Sequence, residues 1–212
     1  MANALDFLSA ITGKTSQELK GTSKEVQLDL LTRLISTLTI SNAKVIRNVY
    51  VPYAKGSKTT EIDMILLSNG NAYIFEVKNY SCSVIGNQKD TYWKTIYSKD
   101  KSFEMYNPIM QNNTHISTLA SYLKIPKDKF KSVIVFSENA DIKKVKYSKS
   151  DNLMVLTMDN VVTYLIKQKF ASKNFTDDQL KLLYNSIKPL TKVSKATKEQ
   201  HIKDVQSKKR TN

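Results

Sequence analysis

Glu61-Ile-Asp-Met-Ile-Leu-Leu67 is followed by Ser68-Asn69-Gly70 and then by Asn71-Ala-Tyr-Ile-Phe-Glu-Val-Lys78. Both outer segments are rich in β-forming residues, and Asn-Gly supplies the positive φ that a tight hairpin turn requires. The pattern predicts two antiparallel strands. Side chains alternate along a strand, so Glu76 and Lys78 share a face with Ile74, while Tyr73, Phe75 and Val77 occupy the other. A strand apolar on both faces is normally central in its sheet and covered by helices, which puts Glu76 at the edge of a desolvated region. A carboxylate there is costly unless a cation or hydrogen bonds neutralise it.

An Asp on one strand of a hairpin and Glu-x-Lys on the next gather two carboxylates and an ammonium, the set that metal-dependent phosphodiester hydrolysis uses. The residues alone leave a second reading open. Glu76 and Lys78 also fit an ordinary cross-strand charge pattern, with Asp63 capping a turn or paired to a lysine. The pattern is short and degenerate.

Composition bounds the alternatives. The 212 residues suffice for one domain with a substantial core, and 41% hydrophobic content is ordinary for a soluble globular chain. A formal net charge of +14 favours a polyanionic partner, nucleic acid or an acidic membrane surface, without choosing between them. No apolar run approaches the ~20 residues needed to span a bilayer. The start, Met1-Ala-Asn-Ala-Leu-Asp6, lacks the basic-then-apolar layout of a signal peptide, so a cytoplasmic location is expected. Cys82 is the only cysteine, which excludes an internal disulfide and a cysteine-rich zinc site; it reads as a small side chain at a strand end.

The order of elements follows from periodicity and caps. Residues 1–20 form an N-terminal arm with an amphipathic segment around Leu5, Phe7, Leu8 and Ile11. Thr22-Ser-Lys-Glu25 is a capping-box pattern that opens a helix to about Leu38, with Leu28, Leu31, Leu34, Ile35 and Leu38 inward. Val45–Val51 is a first strand, before the hairpin. Asn107 caps a second helix, with Pro108 in its first turn, running to about Leu123. Lys131–Ser137 and Leu153–Met158 read as strands, and Val161–Lys169 and Thr176–Lys188 as closing helices. The main domain thus spans 21–189. From about Leu190 to Asn212 the chain is rich in Lys, Ser and Thr, and a basic, mobile tail is expected. Thr12-Gly13-Lys14-Thr15 ends like a phosphate-binding loop but lacks its first Gly and a preceding strand, so no nucleotide role is assigned. Tyr80, Tyr92, Trp93 and Tyr97 lie near the hairpin in sequence, and Trp93 reads as core.

Gly21 with Glu25, Arg47-Asn-Val-Tyr50, Glu61-Ile-Asp63, Phe75-Glu-Val-Lys-Asn-Tyr80, Trp93, and Asn107-Pro-Ile-Met-Gln111 with His115 occur in that order. Over residues 20–170 this resembles the nuclease-related domain (NERD) family, a branch of the PD-(D/E)XK nuclease superfamily. The resemblance implies an α/β fold with a restriction-endonuclease-like core, a mixed central sheet flanked by helices. It further implies that Asp63 and Glu76 are metal ligands and Lys78 the catalytic lysine. Ser81-Cys82-Ser83 departs from the glycine that the family often has there. By the same resemblance Glu25 on the first helix can reach the metal, although it is equally the N3 residue of the capping box. Gln111 resembles the glutamine used near the scissile phosphate. His115 lies one turn on, and Thr118 and Tyr122 continue a polar stripe that is either cleft-facing or merely solvated.

The expected chemistry is therefore that of a nuclease. Asp63 and Glu76, with Glu25 and the Val77 carbonyl, would hold Mg²⁺ or Mn²⁺, since hard oxygen ligands suit those ions. DNA is favoured over RNA by the resemblance alone. Lys124, Lys127, Lys129 and Lys131, and Lys143, Lys144, Lys146 and Lys149, are candidate phosphate contacts or simply a solvated surface. Two other classes remain at this point: a binding module of the same fold without chemistry, and a membrane or protein adaptor built on the basic tail and amphipathic arm.

Overall fold

A computed structural model of the chain describes residues 24–37, 43–53, 58–194 and 196–201. It opens with helix α1 (Lys24–Thr37) and strands β1 (Lys44–Pro52), β2 (Thr59–Ser68) and β3 (Asn71–Lys78). Three short strands follow, β4 (Ser83–Asn87), β5 (Tyr92–Ser98) and β6 (Lys101–Tyr106), then helix α2 (Pro108–Leu123). The chain continues through β7 (Phe130–Phe136), β8 (Asp141–Lys146) and β9 (Leu153–Thr157), and ends in α3 (Met158–Gln168) and α4 (Asp177–Ile187). The N-terminal arm, Thr22 and Ser23 of the capping-box pattern, the Leu34 side chain and Leu38 lie outside the described residues.

The hairpin forms as read. β2 and β3 pair antiparallel from Met64 opposite Phe75 to Ser68 opposite Asn71, and the two turn residues have positive φ, Asn69 at 49° and Gly70 at 71°. The five-stranded sheet has the order β1-β2-β3-β7-β9, antiparallel across β1, β2 and β3 and parallel across β3, β7 and β9. Parallel neighbours need a crossover, and α2 lies in the one from β3 to β7. Leu28, Leu31 and Ile35 of α1 and Val161, Tyr164 and Leu165 of α3 cover the face carrying Tyr73, Phe75 and Val77. Ile116, Leu119 and Ala120 of α2 and Leu183 and Ile187 of α4 cover the face carrying Ile74. This mixed sheet between helices is an α/β fold consistent with a restriction-endonuclease-like core.

A second sheet, β6-β5-β4-β8, is an addition to the expected order of elements. Its strands are short and half-exposed, so lysines and polar residues alternate with few apolar ones, as in Tyr92-Trp-Lys-Thr-Ile-Tyr-Ser98. Its inner face is apolar: Val84, Trp93 and Met105 pack on Ile134, Phe136 and Val155. The Trp93 ring stacks on Phe136, with centroids 6.4 Å apart, and its Nε1–H donates to the Asn87 carbonyl at 2.8 Å. Cys82 is buried in the same cluster. The chain after α4 continues to pack: Leu190 joins the α2–α4 cluster, and His201 lies edge-on to the Tyr50 ring. Among the described residues no helix is long and apolar enough to cross a membrane.

Gly86 is what lets Trp93 lie flat in this layer. A Cβ at Gly86 would stand 2.2 Å from Trp93 Cγ, and the indole is pinned by Phe136 behind it. Gly86→Ala should therefore destabilise the protein by about 1–3 kcal/mol, as overpacked cores do, read as a lower urea midpoint with an unchanged slope. A midpoint equal to wild type would mean that the indole has room to move.

Candidate active site

The site begins where the hairpin opens. The β2–β3 ladder stops at Met64 opposite Phe75, and beyond it the strands part. Val77 N–H, left without a strand partner, donates to Asp63 Oδ2 at 2.8 Å. Asn48, midway along β1, takes a positive φ of 51° where the β1–β2 ladder skips Asn48 and Asp63. Asp63 thus stays buried in the sheet while its second oxygen, Oδ1, turns to the Lys24 ammonium at 2.6 Å.

Glu76 is fully buried one pleat further along β3. Lys78 Nζ lies 2.8 Å from its Oε1, and His115 Nε2 lies 3.2 Å from its Oε2. Lys78 also donates to Gln111 Oε1 at 2.9 Å, and His115 Nδ1 meets the Thr60 hydroxyl at 2.6 Å. Gln111 and His115 are one turn apart on α2, so one helix face delivers both to the Glu76-Lys78 edge of β3. The polar stripe divides after that turn. Thr118 folds back onto the Thr114 carbonyl, and Tyr122 is exposed, lining with Pro52 and Tyr53 a shallow groove outside the site.

Two asparagines set the depth of α2, Asn112, which the sequence did not single out, and Asn107, expected only as the cap. Asn112 donates to the Ile74 carbonyl and to Ser132 Oγ, each at 2.9 Å, fastening the helix to β3 and β7. Asn107 caps the helix by accepting from Ile109 N–H, as expected, but its amide also donates to the carbonyls of Gln88 at 3.0 Å and Asp90 at 2.6 Å. The second sheet thereby holds the start of the helix that carries Gln111.

At α1 the structure exchanges the roles of two neighbours. Lys24 reaches Asp63, whereas Glu25 is exposed and pairs with Arg47 on β1 at 3.1 Å. Arg47 also contacts Asp29 on α1. The trio Asp63, Glu76 and Lys78 is brought together with Gln111 and His115, and Glu25 is not. Burial lowers the Lys24 pKa, but Asp63, Glu76 and Glu61 outweigh it and raise the value overall, so Glu61 lies within electrostatic reach as well. Burial and then Glu76 push Asp63 up to about 6, against the pull of Lys24. Burial would raise Glu76 too, but Lys78, His115 and Lys24 outweigh it and hold that carboxyl at about 2.

The two lysine clusters lie on different parts of the fold, one before β7 of the five-stranded sheet and one on β8 of the second sheet. Lys124, Lys127 and Lys129 precede β7, beside the start of β3, six residues or about 20 Å from Lys78 along the strand. Lys131 is buried, its ammonium donating to the Asp151 carbonyl at 3.1 Å. Lys143, Lys144 and Lys146 are exposed on β8, whose first residue, Asp141, pairs with Ser83, five residues after Lys78.

The model of the nuclease-related domain matches residues 20–137, more than half of the chain. The chain belongs to the nuclease-related domain family. It is 26% identical over 206 residues to the uncharacterized protein pXO1-01 of Bacillus anthracis, across 95% of this chain and 91% of that protein. The crystal structure of a protein of unknown function, AF1548, aligns with a TM-score of 0.35 and 12% identity, over 84% of this chain and 94% of that one.

Nuclease-related domains of this superfamily usually use divalent metals, and the donor set here suits one. Both Glu76 oxygens are buried without an aligned hydrogen bond, since the contacts to Lys78 and His115 are close but poorly directed. Asp63 is a carboxyl whose pKa is raised by its burial and then by Glu76. Such a pair of hard oxygen donors gains from a dication. Among the described residues, no three His, Cys, Asp or Glu side chains gather into a cage of their own.

The Asp63 shift gives a pH test. Between the ordinary value of 3.8 and about 6 the native state keeps a proton that the unfolded chain has released, so this group's contribution to stability falls as pH rises through that window. Asp63→Asn keeps an acceptor for Val77 N–H and carries no titrating proton. In EDTA the variant should gain on wild type by on the order of 2 kcal/mol between about pH 4 and pH 7, measured by urea denaturation. A difference that is flat with pH would show that Asp63 ionises without strain.

Proposed function

We propose that the chain is a divalent-metal-dependent nuclease that hydrolyses phosphodiester bonds, with DNA the favoured substrate. The observation that carries this reading is the convergence, at one opened end of a hairpin, of Asp63, Glu76, Lys78 and Gln111. Mg²⁺ or Mn²⁺ held by Asp63 and Glu76, with the Val77 carbonyl, would supply Lewis acidity to a water and to the scissile phosphate. Glu25 would join only by leaving Arg47. Lys78, half-enclosed between Glu76 and Gln111, is placed to stabilise negative charge as it develops on the phosphate. Gln111 fixes the direction of that ammonium, and His115 with Thr60 holds the far oxygen of Glu76. DNA rather than RNA rests on the family, as does a cytoplasmic setting on the expectation from sequence.

One observation favours a second reading, a nucleic-acid-binding module without chemistry. The two carboxylates already have internal cations in Lys24 and Lys78. Cleavage and metal binding separate the two. Lys78→Ala should cut supercoiled DNA at least ~100-fold more slowly while binding Mn²⁺ as wild type does, because its part is played in the transition state. Glu76→Gln should lose cleavage and metal binding together. Wild-type melts should rise in Mg²⁺ or Mn²⁺ over EDTA, with about 2.7 kcal/mol of stabilisation at a hundredfold excess over Kd. Wild-type protein that neither cuts nor shifts would leave the binding module standing.

The lysine placement gives an independent test of the nucleic-acid surface. Alanine at Lys143, Lys144 and Lys146 should lower the slope of log K against log salt on duplex DNA by up to about 0.9 per lost phosphate contact. Alanine at Lys127 and Lys129, at the far end of β3 and β7, should leave it unchanged. Equal slopes for both sets would remove β8 from the interface.

A further inference from the structure

We infer that Lys24 is a built-in cation that holds the metal position at Asp63 and must be exchanged for the divalent ion, so that it sets how tightly the site takes metal. This rests on the metal-dependent reading of the site above. Asp63 has two oxygens with separate tasks. Oδ2 is committed to Val77 N–H, so Oδ1 is the oxygen left for a cation, and the Lys24 ammonium stands on it at 2.6 Å. The same ammonium is drawn by Glu76 and Glu61, which places it in the field of the whole acidic group rather than on one partner.

Two features make this contact exchangeable. The Lys24 side chain is 46% exposed while that of Asp63 is 5% exposed, so the ammonium can swing into water and the carboxylate cannot follow. Lysine also carries its charge as a compact ammonium on a flexible four-carbon stem, so the charge can move away without moving α1. The helix does not hold it there; Asp63 does. A dication and an ammonium on one carboxylate oxygen repel each other, so metal entry and Lys24 release are the same event. Glu25, the neighbouring acid, is held by Arg47 and does not compete. An uncharged residue at 24 therefore removes a competitor, whereas Arg, with a planar fork that matches a carboxylate, strengthens it.

The test uses the full chain and Mn²⁺ as the probe, with free Mn²⁺ followed by electron paramagnetic resonance at low salt. Lys24→Met, with Lys24→Gln as a second uncharged variant, should bind Mn²⁺ at least tenfold more tightly than wild type. Both should melt at or below the wild-type temperature in EDTA and recover in Mn²⁺. Lys24→Arg should bind more weakly. Damage to the fold weakens binding, so tightening is not an effect that a purely structural role produces. Equal or weaker binding by Lys24→Met and Lys24→Gln, while Asp63→Asn abolishes the wild-type signal, would overturn the exchange and leave the metal site standing. Absence of Mn²⁺ binding in wild type and in both uncharged variants would overturn the metal-dependent reading, and the exchange with it.

Discussion

The hydrogen bond from Val77 N–H to Asp63 Oδ2 is the constraint on which the site depends. A central strand covered on both faces cannot leave a backbone donor unpaired without losing on the order of 1–3 kcal/mol. Where β2 and β3 part, a side chain replaces the missing ladder bond, and that side chain must be short and carry an acceptor. Aspartate meets both needs, but brings a charge into a desolvated fork beside Glu76. The groups around the two carboxylates follow from this. Lys24 answers Asp63, Lys78 and His115 answer Glu76, and the opposite displacements of the two carboxyl groups record how unevenly the answers are shared. A sheet defect and a reactive site are here one feature.

Helix α2 converts that defect into a constellation of fixed dimensions. Its height is set by Asn112, bonded to β3 and β7, and its start by Asn107, bonded to the turn between β4 and β5. With both ends of the first two turns held, Gln111 and His115 have little freedom in how they meet Lys78 and Glu76. The added sheet therefore contributes to the site although none of its side chains enters it. Its anchor is the Trp93–Phe136 stack, which lies against β7 next to the strand that carries Glu76.

Much of this was legible in the sequence because it depends on period and turn chemistry. Asn69-Gly70 and the alternation along β2 and β3 specify register, and register specifies which face Glu76 and Lys78 share. The i to i+4 spacing of Gln111 and His115 carries over directly, and the Thr176–Gln179 capping box opens α4. What was not legible has physical causes. The strands of the second sheet are polar on one side and short, so their alternation is lost among lysines. Neighbouring residues on a helix point about 100° apart, and sequence does not fix the phase finely enough to choose between Lys24 and Glu25. The Arg47 contacts with Glu25 and Asp29 keep those acids on the β1 side, and Lys24 is the residue that faces Asp63. Lys131 belongs to a run of lysines that reads as surface, yet the register of β7 turns it inward onto the Asp151 carbonyl.

The excess positive charge takes on meaning only once the strand directions are known. A net charge of +14 is a statement about partners and says nothing of where they bind. Because β3 and β7 are parallel, the lysines before β7 lie a strand length from Lys78, whereas those of β8 belong to the second sheet, whose strand β4 leaves the Lys78 end with Ser83 opposite Asp141. Within that end the carboxylates are closely compensated by their own cations, so the fork itself adds little net field. Attraction of a polyanion then falls to exposed lysines around the fork, whereas charge inside it governs the metal. Separating the two functions in space lets the surface change with salt while the buried pair, screened far less, keeps its balance.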